Sequence, residues 1–349
     1  MSTQLIKSTV ASICPELSPC IAEAVRQRSD SLTKPRGSLG RLESEVLRLA
    51  QIQDTAMPHI ERPHIYVFCG DHGITAENVS PYPSTVTREM VHNFLRGGAA
   101  ISVLCRNLGI ENIVVDAGVC GPKIPGVIDC RVAEGTRNFL REPAMSEAQA
   151  AQSVEAGISL ACQAAEQSDI AGIGEMGIGN STAASALLCA FTGVAPEEAV
   201  GRGAGLDEAG LQHKRSVVVS ALAYHHQRME EGNPLKILAA FGGFEIAMMG
   251  GFLLGAAAHR LPVVVDGFIS GAAFLAARAF YPEIGKHVFF AHHSAELGHK
   301  PLLHAAAALP LLDLSMCLGE GTGAALAMAL LRAGVQLYRE MATFSEAAI

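Results

Sequence analysis

Beyond residue 60 the chain alternates short β-branched runs with alanine-rich stretches of helical spacing. The runs lie at 65–69, 113–116, 169–173, 262–266 and 288–291. Each ends in Gly, Asp or His and leads into an alanine-rich segment. Strands alternating with helices predict βαβ units and a parallel sheet, hence an α/β fold. In such sheets a ligand sits outside the carboxyl ends of the strands. The first 60 residues read differently. Segments 16–28 and 41–53 carry apolar residues at helical spacing, such as Leu42, Val46 and Leu49. Residues 321–347 read as one long helix that can pack with the N-terminal helices as a small domain.

One stretch poses a membrane question. Residues 237–259 are strongly apolar, with Glu245 as the only full charge. A spanning helix would bury Glu245 near its middle, at a cost of roughly 2.5–3.5 kcal/mol. Gly242, Gly243, Gly250, Gly251 and Gly255 interrupt the run. The expectation is a buried helix and loop of a soluble protein.

Composition narrows the function classes. Of 349 residues, 49 % are hydrophobic and 17 % charged, enough apolar mass for a sizeable core. The net charge is −8, and no Lys or Arg run is long enough to track a phosphate backbone, which argues against nucleic-acid binding. Nine cysteines form no CxxC pair and read as reduced residues of a cytoplasmic protein. No basic-then-apolar leader opens the chain.

The 35 glycines gather in clusters that frame polar residues. Gly172, Gly174 and Gly177 spell GxGxxG after a strand and before a helix at 183–191. Such glycines let a backbone approach an anion at a helix N-terminus. The acids at the expected spacing, Glu197 and Glu198, follow a turn rather than a strand. The cluster therefore favours a phosphate or sugar over a nicotinamide dinucleotide; Asn180, Ser181 or Thr182 acting as a plain helix cap is the alternative. Residues 200–207, with Arg202 and later Lys214, offer positive charge to a phosphate or a solvated helix start. Asp266, before Gly267, suits a ribose hydroxyl or a helix cap. His292, His293, Glu296 and His299 match no zinc-binding spacing, and Ser294 among them suits phosphate oxygens. Asp71 and His72 stand in a glycine-framed turn. Glu320, between Gly319 and Gly321, is a desolvated acid suited to general-base work or to a helix N-terminus.

Taken together, these clusters resemble a known family. Lys34-Pro35-x-Gly37-Ser38-Leu39-Gly40, Gly70 to Gly73, Gly174 to Asn180, Gly201 to Gly205, Gly242 to Glu245, Val265 to Phe268, His293 to His299 and Gly319 to Gly323 occur in order along nearly the whole chain. The sequence is similar to nicotinate-nucleotide–dimethylbenzimidazole phosphoribosyltransferases. The resemblance implies transfer of the 5-phosphoribosyl group of nicotinate mononucleotide to 5,6-dimethylbenzimidazole. It implies a Rossmann-like large domain at 61–324, a small helical domain from 1–60 and about 325–349, a homodimer, and no cofactor or metal. By position, Glu320 matches the general base and Glu175 a second acid near the ribose. Gly177, Asn180, Gly203, Lys214, Asp266, Gly267 and Ser294 match nucleotide and phosphate positions. Ser80 and the 81–90 segment, Glu89 included, match the base pocket, with Leu318 beside Glu320. Arg36 stands where the family often has Pro. Glu89 stands where Gln is expected, a change able to alter which base is accepted.

Overall fold

The computed structural model describes residues 3–348. Its strands are β1 (Pro63–Gly70), β2 (Glu111–Gly118), β3 (Ile128–Asp129), β4 (Ile170–Met176), β5 (Val263–Val265) and β6 (Val288–Phe290). The first helices are α1 (Gln4–Ser12), α2 (Pro19–Ser31), α3 (Arg41–Ile52), α4 (Thr85–Arg96) and α5 (Ala100–Leu108). Then come α6 (Glu147–Gln167), α7 (Asn180–Thr192), α8 (Pro196–Ala199), α9 (Glu208–Tyr224) and α10 (His226–Glu230). The last are α11 (Pro234–Phe241), α12 (Phe244–Ala258), α13 (Phe268–Phe280), α14 (His299–Ala306) and α15 (Thr322–Glu340).

All strand pairs are parallel, in the order β3-β2-β1-β4-β5-β6. This is the doubly wound Rossmann-type order, with its switch point between β1 and β4. The five strands expected from the sequence are present. The additional strand, β3, has two exposed residues and so carries no apolar run to reveal it.

Alternate side chains of each strand feed opposite cores. Tyr66 and Phe68 of β1 join a cluster with α6, α7, α12 and α13, whereas Ile65, Val67 and Cys69 join one with α3, α4, α5 and α15. Both faces are thus covered, which explains the continuous apolar strands. The terminal helices belong to these layers. Val25 of α2 and Val46 and Leu49 of α3 share the second cluster with Ala324, Met328 and Leu331 of α15 and with the sheet. Ile6 of α1 packs in the other layer.

Local chemistry sets the helix ends. α2 begins at Pro19 rather than at residue 16, because the Ser18 side chain accepts a hydrogen bond from the Ile21 N–H and Pro19 occupies the first turn. The tail helix stops at Glu340, short of the expected 347. Its chain end pairs instead with the start of the molecule, through Thr33 N–H to Ala342 O at 3.0 Å and Phe344 N–H to Ser31 O at 2.9 Å. The apolar 237–259 stretch divides into α11 and α12 at Gly242-Gly243. No helix among the described residues is long and apolar enough to cross a membrane.

Candidate active site

The switch point opens a cleft of about 430 Å³ at the carboxyl ends of β1 and β4. Its walls are Val79, Ser80, Tyr82, Val86 and Met90, the β4–α7 turn, Gly203-Ala204, Ile269, Glu296 and the loop of Cys317, Leu318 and Glu320. Glu175 and Glu320, 145 positions apart in sequence, both line it.

The Glu320 loop is held in an uncommon conformation. Gly319, Glu320 and Gly321 have φ of 85°, 63° and 90°. For a residue with a side chain this costs on the order of 1 kcal/mol or more, and such strain gathers at functional sites. Three bonds enforce it: Gly321 N–H to Asp266 Oδ2 at 3.1 Å, Thr322 N–H to Gly319 O at 3.1 Å, and Ile101 N–H to Glu320 Oε2 at 3.4 Å. The loop also presses on β4. A methyl group on Gly174 would lie 2.5 Å from the Glu320 carbonyl oxygen.

Electrostatics separate the acids. Glu175 is 6 % exposed and accepts a hydrogen bond from the Asn180 side-chain amide. Burial, then the charge of Asp266, pushes its pKa up to about 8; Asn180 opposes this, and Glu245 and Glu320 add to it. Glu175 therefore favours its protonated form at neutral pH. Glu320, also 6 % exposed, is raised by burial, with the Ile101 N–H opposing. Perturbed acids in a cleft are a mark of function.

The positive charge comes from α9. Lys214 is 1 % exposed, and its ammonium donates to Ser181 Oγ at 2.9 Å. Burial pushes it down to about 8, with Glu296 opposing. Gly203, at φ +51°, permits this approach, since a Cβ there would stand 2.9 Å from Ser181 Oγ and 3.1 Å from the ammonium. A buried ammonium with one neutral partner is poorly compensated. No side chain caps α7, so its N-terminus and Lys214 converge on one end of the cleft, an arrangement suited to phosphate.

The sequence-derived site residues divide into groups. Glu175, Glu320, Gly177, Asn180, Gly203, Ser80 and Leu318 line the cleft. Lys214 reaches it through Ser181. Gly267 and Ser294 sit behind the wall: a Cβ on Gly267 would be 3.8 Å from the Ser294 Cβ, and Ser294 Oγ accepts from Glu296 N–H. Asp266 does not line the cleft. It is 2 % exposed, and its oxygens accept from Gly321 and Ala324, so it caps α15 and shapes the Glu320 loop. Glu89 is exposed on α4, whose Val86 and Met90 line the cleft instead. Arg202 is spent on an ion pair with Glu208.

Other motif readings change with the geometry. Gly172 and Gly174 lie inside β4, where they make room for α15 and the Glu320 loop; only Gly177 belongs to the turn. The GxGxxG match is thus a product of strand packing, and Glu197 and Glu198 sit on the short α8. Among the described residues no three His, Cys, Asp or Glu side chains are arranged to hold a metal ion. Met176, Ile178, Gly179 and Ala204 line the cleft from inside the glycine-framed motifs, Glu296 from its histidine motif, and Ile269 and Cys317 from beside theirs, none with a role read from the sequence. Val79 lies outside every motif, and nothing local marks it.

A phosphoribosyltransferase family model matches residues 14–349. The chain is 48 % identical over 338 residues to a nicotinate-nucleotide–dimethylbenzimidazole phosphoribosyltransferase of Cupriavidus taiwanensis, covering 96 % of this chain and 97 % of the relative. It is 47 % identical to the protein of that name from Roseiflexus sp., covering 99 % and 98 %. The crystal structure of CobT from Thermus thermophilus superposes with a TM-score of 0.89 at 44 % identity, covering 95 % of this chain and 99 % of that one.

Proposed function

Because the chain belongs to the phosphoribosyltransferase family of these relatives and is a phosphoribosyl-transferring enzyme, we propose that it transfers the 5-phosphoribosyl group of nicotinate mononucleotide to 5,6-dimethylbenzimidazole. The products are α-ribazole 5′-phosphate and nicotinate, the former going to build the lower-ligand nucleotide of cobalamin. The observation that carries this reading is the convergence of Glu320, Glu175 and the Lys214–Ser181 pair on one cleft.

In this reading the phosphate lies against Lys214, Ser181 and the α7 N-terminus, and the ribose reaches toward Glu175. The benzimidazole packs among Tyr82, Val86, Met90 and Leu318. One ring nitrogen attacks the anomeric carbon. The bond to the pyridine nitrogen breaks and its electron pair stays with nicotinate. The proton on the other benzimidazole nitrogen passes to Glu320, whose partial desolvation makes it a better base than a solvated carboxylate. The protein's work is to position and to balance charge, and no cofactor enters these steps. All nine cysteines are unpaired, in keeping with a reducing cytoplasmic setting, and the family reading carries a homodimer with it.

The test is release of nicotinate from nicotinate mononucleotide, run with a panel of benzimidazoles, purines and phenols as acceptors. Acceptor-dependent release supports the reading. Absence of nicotinate release with every acceptor would overturn this donor.

A further inference from the structure

Beneath the floor of the cleft lies a second titratable pair that the proposed reaction does not use. His72 Nε2 and Glu245 Oε1 are 2.6 Å apart, and both side chains are fully buried. His72 follows the carboxyl end of β1, and Glu245 lies in the first turn of α12. Their remaining polar atoms, His72 Nδ1 and Glu245 Oε2, have no hydrogen-bond partner. Burying such a polar pair is costly in desolvation, and apolar residues of the same volume are often as stable. Fold stability is therefore a weak reason for its presence.

Its surroundings point toward the reaction. A Cβ on Gly177 would stand 3.3 Å from the His72 ring, and one on Gly179 would stand 3.4 Å from the His72 Cβ, so the imidazole lies directly under the turn that follows Glu175. Glu245 closes on the neighbouring strand end, with Oε2 2.7 Å from where a Gly70 Cβ would lie. β1 and β4 are in register here, Phe68 opposite Glu175 and Cys69 opposite Met176. The pair thus ties the end of β1, the start of α12 and the β4–α7 turn together at one point.

We propose that His72 and Glu245 form a positioning pair that locks the Gly177 turn from below and so sets where the Glu175 carboxyl points in the cleft. The pair touches neither substrate and acts through Glu175. It rests on the phosphoribosyl-transfer reading above. It also bears on charge. Glu175 is faced by Asp266 from the end of β5, Glu320 from the loop before α15, Glu245 from α12 and the Asn180 amide from α7. The Glu245 carboxylate adds to the field that keeps a proton on Glu175.

The test is Glu245→Gln, which keeps volume and a hydrogen bond to His72, beside the double variant His72→Leu/Glu245→Leu, which removes both buried polar groups altogether. The titration belonging to Glu175 is the step that Glu175→Gln abolishes, both in the pH–rate profile and in the infrared carboxylic-acid band of the protein. The expected result is a kcat about 10- to 100-fold lower in both variants, the span of a small misplacement of a reacting group. KM for nicotinate mononucleotide should stay within about threefold, and the Glu175 titration should move to lower pH. Melting temperatures measured alongside separate these changes from unfolding, and the double variant keeps the test open if Glu245→Gln does not fold. Loss of thermal stability with kcat and the Glu175 titration unchanged would overturn the pair's role while leaving the reaction intact. A wild-type enzyme that releases no nicotinate would remove the reaction itself, and the pair's role with it.

Discussion

Gly174 on β4 lies against the backbone of Glu320, so close that a methyl group on it would stand 2.5 Å from the Glu320 carbonyl oxygen. A strand residue and a loop residue far apart in sequence thus share one van der Waals boundary. The acid suited to take the proton is placed by the absence of a side chain on the strand that carries the other acid.

Gly174→Ala should therefore act on both stability and chemistry. Neither backbone can yield without distorting the sheet or the left-handed loop, and overpacking of this kind costs about 1–3 kcal/mol. Thermal melts and nicotinate release should both fall. Unchanged turnover would mean that the Glu320 loop tolerates a shift.

Glu320→Gln should lower kcat by roughly 10²–10⁴-fold, the span of one acid–base group. Binding of nicotinate mononucleotide should be largely spared, because the end of the cleft proposed to hold the phosphate, at Lys214 and Ser181, is built from other residues. Calorimetric binding beside single-turnover rates checks this. Lost binding with normal turnover of bound substrate would assign Glu320 to recognition instead.

Lys214→Ala should show the opposite balance. Removing the buried ammonium takes away a charge-assisted contact of about 1.5–3 kcal/mol, which raises KM for the nucleotide roughly 10- to 100-fold. Turnover at saturation should change little. A free nicotinate-riboside donor, lacking the phosphate, should be insensitive to the substitution.

Stability should peak in mildly acidic solution, with different groups limiting each side. Burial pushes His287 down to about 4 and His299 down to about 3 from the ordinary 6.5. The unfolded chain takes up these protons first, so their stabilisation is complete above 6.5 and is lost as pH falls through 4 toward 3. Glu175 runs the other way. Raised from 4.5 to about 8, it contributes fully below 4.5 and loses its contribution as pH rises through 8. Each effect is on the order of a few kcal/mol. Melting temperature against pH, compared with Glu175→Gln, should show the alkaline decline flattened and the acid decline kept. An unaltered alkaline limb would remove Glu175 as its source.

Several features were legible along the chain because they are local. The β-branched runs marked five of six strands, the 3.6-residue spacing marked the helices, and the glycine-framed polar clusters marked the turns at the strand ends. Those patterns, with their order along the chain, were enough to suggest the family. The helix boundaries at Pro19 and Glu340 were less legible, since one depends on a capping side chain and the other on pairing with residues near the N-terminus.

What the fold alone decided concerns residues that meet only through sheet register. Sequence spacing grouped Gly172, Gly174 and Gly177 into one phosphate motif; the strand divides them, because two face the packing of α15 and its loop while the third faces the turn. It offered Asp266 as a ribose ligand or a cap; the parallel alignment of β4 and β5 brings it to the open N–H groups of α15. It left Glu245 as a lone acid in an apolar run; the packing of α12 under β1 supplies His72 as its partner. It named Glu175 and Glu320 without bringing them together. The amino-acid order determined which side chains carry chemistry, since that is a property of each residue and its neighbours. Which of them share one volume of low dielectric depended on strand order and close packing, which no local pattern encodes.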